Sequence, residues 1–249
     1  ADDFHGGNGP LGVSSPEITD PLYQTFSDAG EQAGYPYTKD YNGAEQEGFS
    51  NLQFTTRNGK RSSAAVAYLH PASERPNLSI VTQAHVTRIL FEGAKAIGVE
   101  YRHGGKIEKA SAEREVIVSG GAYNSPQTLL LSGIGPADHL NDMGIDPVIN
   151  LKGVGQNLQD HPSNVLLFSQ SGHSHLNANL RYDRLTLSMI QAQVFGTGFA
   201  TQNPSQVTAF LKSDPGLEIP DTQFFCRGGL PNIKPWFPWD GFPSSQIIN

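Results

Sequence analysis

The residues best placed to do chemistry stand in one run, Ser119-Gly120-Gly121-Ala122-Tyr123-Asn124-Ser125-Pro126. The apolar segment Val116-Ile117-Val118 leads into it and reads as a strand covered on both faces, because it is continuous rather than alternating. A helix is then expected over 125–132, with Ser125 as its cap and Pro126 at its first position. Free backbone N–H groups at a helix start attract negative charge, and glycine lets a ligand approach the backbone closely. The chemistry this suggests is capture of an anionic or nucleotide group. Gly-rich strand-to-helix turns also serve plain packing, and residue types alone leave both readings open. The dinucleotide fingerprint, in which Gly-x-Gly-x-x-Gly opens a βαβ unit with an acidic residue further on, is absent.

Other residues invite a chemical reading and also admit a structural one. His161, in Asp160-His161-Pro162, is a residue type that accepts protons near neutrality. His173 and His175 could share a metal, but no carboxylate stands beside them, and a solvated polar loop is the favoured reading. Cys226 follows two phenylalanines, which suits a buried, inert thiol better than a nucleophile. Asn77-Leu78-Ser79 has the glycosylation pattern, a triplet frequent by chance. Trp236, Phe237, Trp239 and Phe242 are spaced by prolines and cannot form one helix face. They could line a substrate entrance, face a membrane or partner, or pack a Pro-rich loop.

These residues belong to an acidic chain of 249 residues with 24 acidic and 17 basic side chains, a formal net charge of −7. Such a chain, without basic runs, is poorly suited to nucleic acid or anionic membranes. No stretch approaches the roughly 18 consecutive apolar residues of a membrane span. One cysteine excludes an internal disulfide and any cysteine-cluster metal site. The elements expected to position the Gly-rich turn are short β-branched runs at 78–82, 86–91, 96–101 and 115–119, with a hairpin turn at His103-Gly104-Gly105-Lys106. Helical periodicity covers 21–34, with Asp20 as cap and Gly34 as stop, and recurs at 62–68 and 184–195; Pro71 should break the second of these. Strands are also expected at 11–13, 165–168 and 222–225. Composition shifts near residues 75 and 163, leaving a strand-rich middle between two dissimilar flanks. The Ala1-Asp2-Asp3 start is not a signal peptide, and Gln246-Ile247-Ile248-Asn249 stops within an apolar run.

Several blocks together give the chain a family likeness. Gly120 to Gly135, GGAYNSPQTLLLSGIG, resembles the second signature of the glucose–methanol–choline (GMC) family of FAD-dependent oxidoreductases. Gly153-Val154-Gly155-Gln156-Asn157-Leu158-Gln159-Asp160-His161 is similar to the family's GVGxNLxDH block, and His5-Gly6-Gly7-Asn8-Gly9-Pro10-Leu11 to its HGxxGPL segment. Asp40 to Gly43, Gly59 to Ala65, Arg75 to Leu78, Val86 to Ile89 and Gly98 to Tyr101 fall in the family's order. The likeness covers about 160 residues and is weaker over the last 85.

The resemblance implies an α/β (α+β) fold: a Rossmann-type FAD-binding domain interleaved with a substrate domain built on an antiparallel sheet. Residues 76–163 would belong to the first, and 1–75 and 164–249 to the second. It implies FAD as cofactor, with Val86 touching adenine through its backbone and Gly120, Gly121 and Ala122 along the adenosine and pyrophosphate. Ser125 would cap the helix beside them, and His161 would be a structural histidine at a domain crossover. The implied activity is oxidation of a small alcohol, a histidine accepting the hydroxyl proton while hydride passes to flavin N5; a cyanohydrin (hydroxynitrile) lyase on the same scaffold, or a non-catalytic fragment, are the alternatives. Family members carry a Gly-rich FAD motif before the equivalent of Ala1 and a catalytic histidine beyond that of Asn249. The chain therefore reads as the central part of a longer enzyme, the rest supplied by missing segments or a companion chain. None of its residues is named as catalytic, and compartment and substrate stay open.

Overall fold

In the computed structural model, residues 2–15, 17–169, 175–203, 205–229, 234–240 and 247–248 are described. Helix α1 (Pro21–Gln32) starts where Asp20 accepts the Leu22 N–H at 3.0 Å and Pro21 fills a first-turn position that needs no donor. Strand β1 (Gly48–Asn51) follows, then a tight hairpin of β2 (Thr56–Arg57) and β3 (Lys60–Arg61). Ala65–Leu69 winds as a π turn into α2 (His70–Ala72), so the helical path runs through Pro71 instead of breaking there. A proline ring in a normal turn strikes the carbonyl four residues back. Here the turn is wider, with the His70 N–H reaching the Ala65 carbonyl five residues back, and the ring is accommodated.

The middle of the chain forms β4 (His85–Glu92), β5 (Lys95–His103), β6 (Lys106–Ser111), α3 (Gly121–Leu131), β7 (Ile134–Gly135), α4 (Ala137–Asp142) and β8 (Ile149–Asn150). Then come β9 (Phe168–Ser169), α5 (His175–Asn179), α6 (Tyr182–Phe195), β10 (Ser205–Leu211), β11 (Thr222–Arg227) and β12 (Ile247–Ile248). Contacts divide the chain into two units, one of Ala1–Arg75 with Asn164–Asn249 and one of Pro76–Ser163. The fold is mixed α/β, with separate sheets in each unit.

In the flanking unit, β10 is the middle strand of the antiparallel sheet β1-β10-β11, so sequence from both flanks is needed to complete it. Gln206, Val207, Thr208 and Ala209 are all buried on β10, because both faces of a middle strand are covered. Tyr23 from α1 joins Phe49, Val207, Ala209, Leu211 and Cys226 in one apolar cluster, with Ile18 and Phe26 packed on it. Burying each large side chain of this kind contributes roughly 1.5–3 kcal/mol. Gly30 allows α1 to lie directly on Phe49: a Cβ there would stand 2.3 Å from the ring.

In the middle unit, β4, β5 and β6 form an antiparallel meander. Gly104 and Gly105 turn the second hairpin with φ of +56° and +79°, the pair of positive values that a two-residue loop matched to strand twist requires. Helix α3 packs on β4, where the buried Ser132 hydroxyl accepts the Ile89 N–H at 2.8 Å and donates to the Thr128 carbonyl at 2.5 Å. A short parallel pair, β7 with β8, closes the unit around Ile134, Leu140 and Val154.

Four expected strands differ. Residues 78–82 are irregular, and at 11–13 only the adjacent Ser14 forms an isolated bridge, to Phe54. Residues 115–119 join no ladder; Ile117 is 77% exposed, not covered on both faces. Val116 and Val118 are half-buried, so the run is covered on one side only and forms no strand pairing among the described residues. Of 165–168 only Phe168 pairs, through β9 with β12, while Val165, Leu166 and Leu167 are exposed.

Candidate functional site

The Gly-rich turn is the point where the extended segment 114–119 enters α3. The helix begins at Gly121 with Gly120 as its cap, five residues earlier than Ser125 as cap and Pro126 as first position suggest. Ser125 is therefore not the N-cap. It lies in the second helical turn, and its Oγ accepts the Gly120 N–H at 2.9 Å, so it ties the cap down from inside the helix. Pro126 lies inside the helix, where its missing N–H leaves the Ala122 carbonyl without its usual helical donor.

Both glycines have a local reason. Gly121 has φ of +84°, a conformation that an L side chain adopts only with strain, and nothing stands within 4 Å of where its Cβ would be. A Cβ on Gly120 would sit 3.1 Å from that of Asn124. The N–H groups of the first turn, from Gly121 onward, have no carbonyl four residues back within the helix. No acidic side chain occupies that turn, so its partial positive charge is not neutralised by the chain itself. Gly120, Gly121 and Ala122 are exposed. The arrangement offers an open, electropositive surface of backbone donors around the side-chain-free Gly120 and Gly121, which suits the pyrophosphate of a dinucleotide.

Val86 stands on β4, the strand that takes α3, and pairs with Tyr101 next to a register irregularity. Beside it lies an ion pair that the sequence did not announce: Arg88 donates to the Glu100 carboxylate at 2.9 Å, and the Thr87 hydroxyl donates to it at 3.0 Å. Arg88 first, and then Thr87, hold the Glu100 carboxyl below its ordinary range. Glu100 is thus a fixed carboxylate that pins β4 to β5 and not a proton carrier. Cross-strand charge at this register was the available signal.

The remaining candidates fall elsewhere. His161 is exposed, and its backbone N–H donates to the Asp160 side chain at 2.8 Å. His175 stands 3.9 Å from Asp20, and His173 lies outside the described residues. Among the described residues no three His, Cys, Asp or Glu gather around a metal-sized space. Cys226 is 1% exposed, and burial, aided by the Asp20 charge, pushes its thiol up to about 12. Trp236 donates from its indole to the Asn177 carbonyl at 2.8 Å, and Phe237 stacks on Trp239 with centroids 4.5 Å apart. This aromatic group packs on the start of α6 through Tyr182; Phe242 lies outside the described residues. Gly7 to Gly12 has the spacing Gly-x-Gly-x-x-Gly, but it lies in a loop with neither strand before it nor helix after it. His5 nearby is bracketed by two carboxylates, Asp2 at 2.9 Å and Asp40 at 3.5 Å.

Comparison with known proteins bears on the same residues. Residues 3–163 match the GMC oxidoreductase family. The oxygen-dependent choline dehydrogenase of Sinorhizobium fredii is 43% identical over 223 residues, which is 90% of this chain and 40% of that protein. The mitochondrial choline dehydrogenase of Mus musculus is 45% identical over 221 residues, 89% of this chain and 37% of that protein. The chain thus spans about two fifths of the length of these curated relatives. Among solved structures, a formate oxidase of Aspergillus oryzae superposes with a TM-score of 0.81 at 22% identity, covering 98% of this chain and 46% of that one. Pyridoxine 4-oxidase from Mesorbium loti does so at 0.74 and 25% identity, over 98% and 44%.

Proposed function

This chain belongs to the GMC oxidoreductase family, and on that footing we propose that it forms part of a flavoenzyme that oxidises an alcohol, with choline as the first substrate to test. The single observation that carries the reading is identity of 42–45% to choline dehydrogenases along about nine tenths of this chain. The bound flavin would supply the hydride-accepting N5, and the protein would supply binding, orientation and electrostatics.

In this reading, the first-turn N–H groups of α3 and the side-chain-free Gly120-Gly121 hold the pyrophosphate region of FAD, with Ala122 beside them. Ser125 keeps Gly120 in place, and the backbone of Val86 faces the adenine. The open space over Gly121 supports this assignment, since the close approach of a ligand needs that space. Residues 76–163 then serve as a portion of the FAD-binding domain, and the two flanks as portions of the substrate domain. The Gly-rich FAD motif and the proton-accepting histidine are assigned to residues outside this sequence, on the same polypeptide or a companion chain. Exposed apolar groups support further protein surface there: Leu187 and Ile190 lie along one side of α6 and are exposed, as are Val165, Leu166 and Leu167. Such groups in an otherwise polar surface mark places where another segment packs.

The test is spectroscopic. Choline added anaerobically to the flavoprotein should bleach the flavin absorption band. No bleaching by choline or by other small alcohols would overturn the oxidation reading and leave the cyanohydrin lyase as its rival. Flavin retention through gel filtration, compared between the protein and Ser125→Ala, tests the cofactor residues without relying on turnover.

A further inference from the structure

The flanking unit contains a cavity of about 560 Å³ between the β2–β3 hairpin and the last turn of α6, within the range of small-molecule sites. Arg57, Lys60 and Arg61 line it from the hairpin, and no acidic side chain does so among the described residues. In a chain with 24 acidic and 17 basic side chains, three cations without a carboxylate in one cavity run against the overall balance. None of the three has an ion-pair partner within 4.0 Å among the described residues, whereas Arg88, Arg181 and Lys212 do. The remaining wall is mixed: Val66 from the π turn and Val194 and Phe195 from α6 give it apolar surface, beside the uncharged polar Ser62 and Gln193.

The cavity is built by close backbone contact. Asn58 and Gly59 turn the hairpin with φ of +52° and +69°. A Cβ on Gly59 would stand 2.1 Å from the Gly196 carbonyl oxygen, and one on Gly196 would stand 2.5 Å from that of Asn58. The two glycines therefore let the hairpin tip rest on the cap of α6. Arg57 is oriented by donation from Nη2 to the Gly9 carbonyl at 3.3 Å.

A helix C-terminus carries about half a negative charge, and the hairpin cations partly answer it. Three full positive charges exceed that several-fold, so most of the positive charge is left for a ligand. We propose that this cavity binds a small organic anion with an apolar body, a medium-chain carboxylate, its charged end on Arg57, Lys60 and Arg61 and its chain against Val66, Val194 and Phe195. The assignment rests on the cavity alone and does not depend on the flavoenzyme reading.

Isothermal titration of the flavoprotein with octanoate, with octylamine and with inorganic phosphate tests it. Octanoate should bind in the millimolar range or tighter, more strongly than phosphate, and octylamine should not bind. The Arg57→Gln/Arg61→Gln variant should weaken octanoate by about tenfold, since exposed charge-assisted contacts contribute modestly each, and added salt should weaken it further. Phe195→Ala should weaken octanoate and leave phosphate unchanged. Should the double variant fail to fold, Lys60→Gln alone carries the test, with a loss of about threefold. No octanoate binding, equal binding of octylamine, or octanoate binding unaffected in folded variants would overturn the proposal. A fall in melting temperature for Lys60→Gln with no octanoate binding to either protein would make the cations a helix cap only.

Discussion

At Gly121 a backbone angle and a ligand hypothesis meet. Its φ of +84° makes any side chain strained, and the space over it is open. Gly144, just beyond α4, has φ of +71° and equally open space. Gly121→Ala and Gly144→Ala should therefore each lose about 1 kcal/mol of stability from the left-handed conformation alone. If the turn holds the FAD pyrophosphate, only Gly121→Ala should also lose flavin, by about fivefold or more in affinity, because the methyl group and the strain both fall at the point of approach. Thermal melts with fluorescence titration of FAD separate the two effects, and equal flavin affinity in both variants would remove Gly121 from the site. A second residue-scale prediction concerns pH. Burial pushes both the Cys226 thiol and the Tyr23 hydroxyl up to about 12, from ordinary values of 9.0 and 10.0. Between about pH 9 and 12 the unfolded chain gives up protons that the native chain keeps, so stability is full below about pH 9 and falls as pH rises toward 12. At about pH 10.5 the fall should amount to a few kcal/mol, at about 1.4 kcal/mol per unit and group. Urea midpoints at about pH 8 and pH 10.5 measure it, and Cys226→Ala should be less stable at the lower pH but show a shallower decline. An unchanged slope would place the titration on other groups.

At the scale of elements, α1 on β1 shows how a packing contact can override propensity. Alanine is a better helix former than glycine by about 1 kcal/mol, so Gly30→Ala ought to help an isolated α1. In the protein the added Cβ would stand 2.3 Å from the buried Phe49 ring, and overpacking of that kind costs about 1–3 kcal/mol. The net effect should be destabilising, with a melting temperature several degrees lower; a rise would mean that Phe49 swings aside freely. The same contrast governs what could be read from the sequence. Helices α1 and α6 and strands β4, β5 and β11 were legible, because their period, caps or β-branched runs are local properties. Strand β10 was not, since its burial comes from lying between β11, the next strand along the chain, and β1, which is far away in sequence. Strand β6 was not either: all six of its residues are exposed, so Lys106 to Ser111 has no apolar alternation to show. Val116 to Val118 misled in the opposite direction, an apolar run without a strand to pair with. At the site, Gly120 and Gly121 were legible as a backbone turn. The role of Ser125 was not, because a hydroxyl can cap a helix from before it or from inside its second turn, and residue type is the same in both.

For the whole molecule, the division that matters runs through the flanking unit. Residues 3–163 match the family, but β10 and β11 lie beyond that span. Strand β1 pairs with β10 from Gly48↔Phe210 to Asn51↔Val207, and the cluster on Tyr23 and Phe49 is completed by Val207, Ala209, Leu211 and Cys226. A protein cut to residues 1–163 should therefore keep the β4–β5–β6 meander, whose pairing is internal to the middle unit, and lose the order of the first seventy-five residues. Losing four of the six buried members of the cluster removes roughly 6–10 kcal/mol of apolar burial, comparable to the whole stability of a typical domain. The measurement is hydrogen exchange followed by peptide mass. In residues 1–249, peptides from α1 and β1 should be protected; in 1–163 they should exchange at once, while peptides from β4 and β5 keep their protection. Protection of α1 in the shorter chain would mean that the amino-terminal flank folds without β10. Loss of protection across β5 would mean that the middle unit depends on the carboxy-terminal flank. The first outcome would break the link between sheet order and stability, and the second would make the two units one cooperative body.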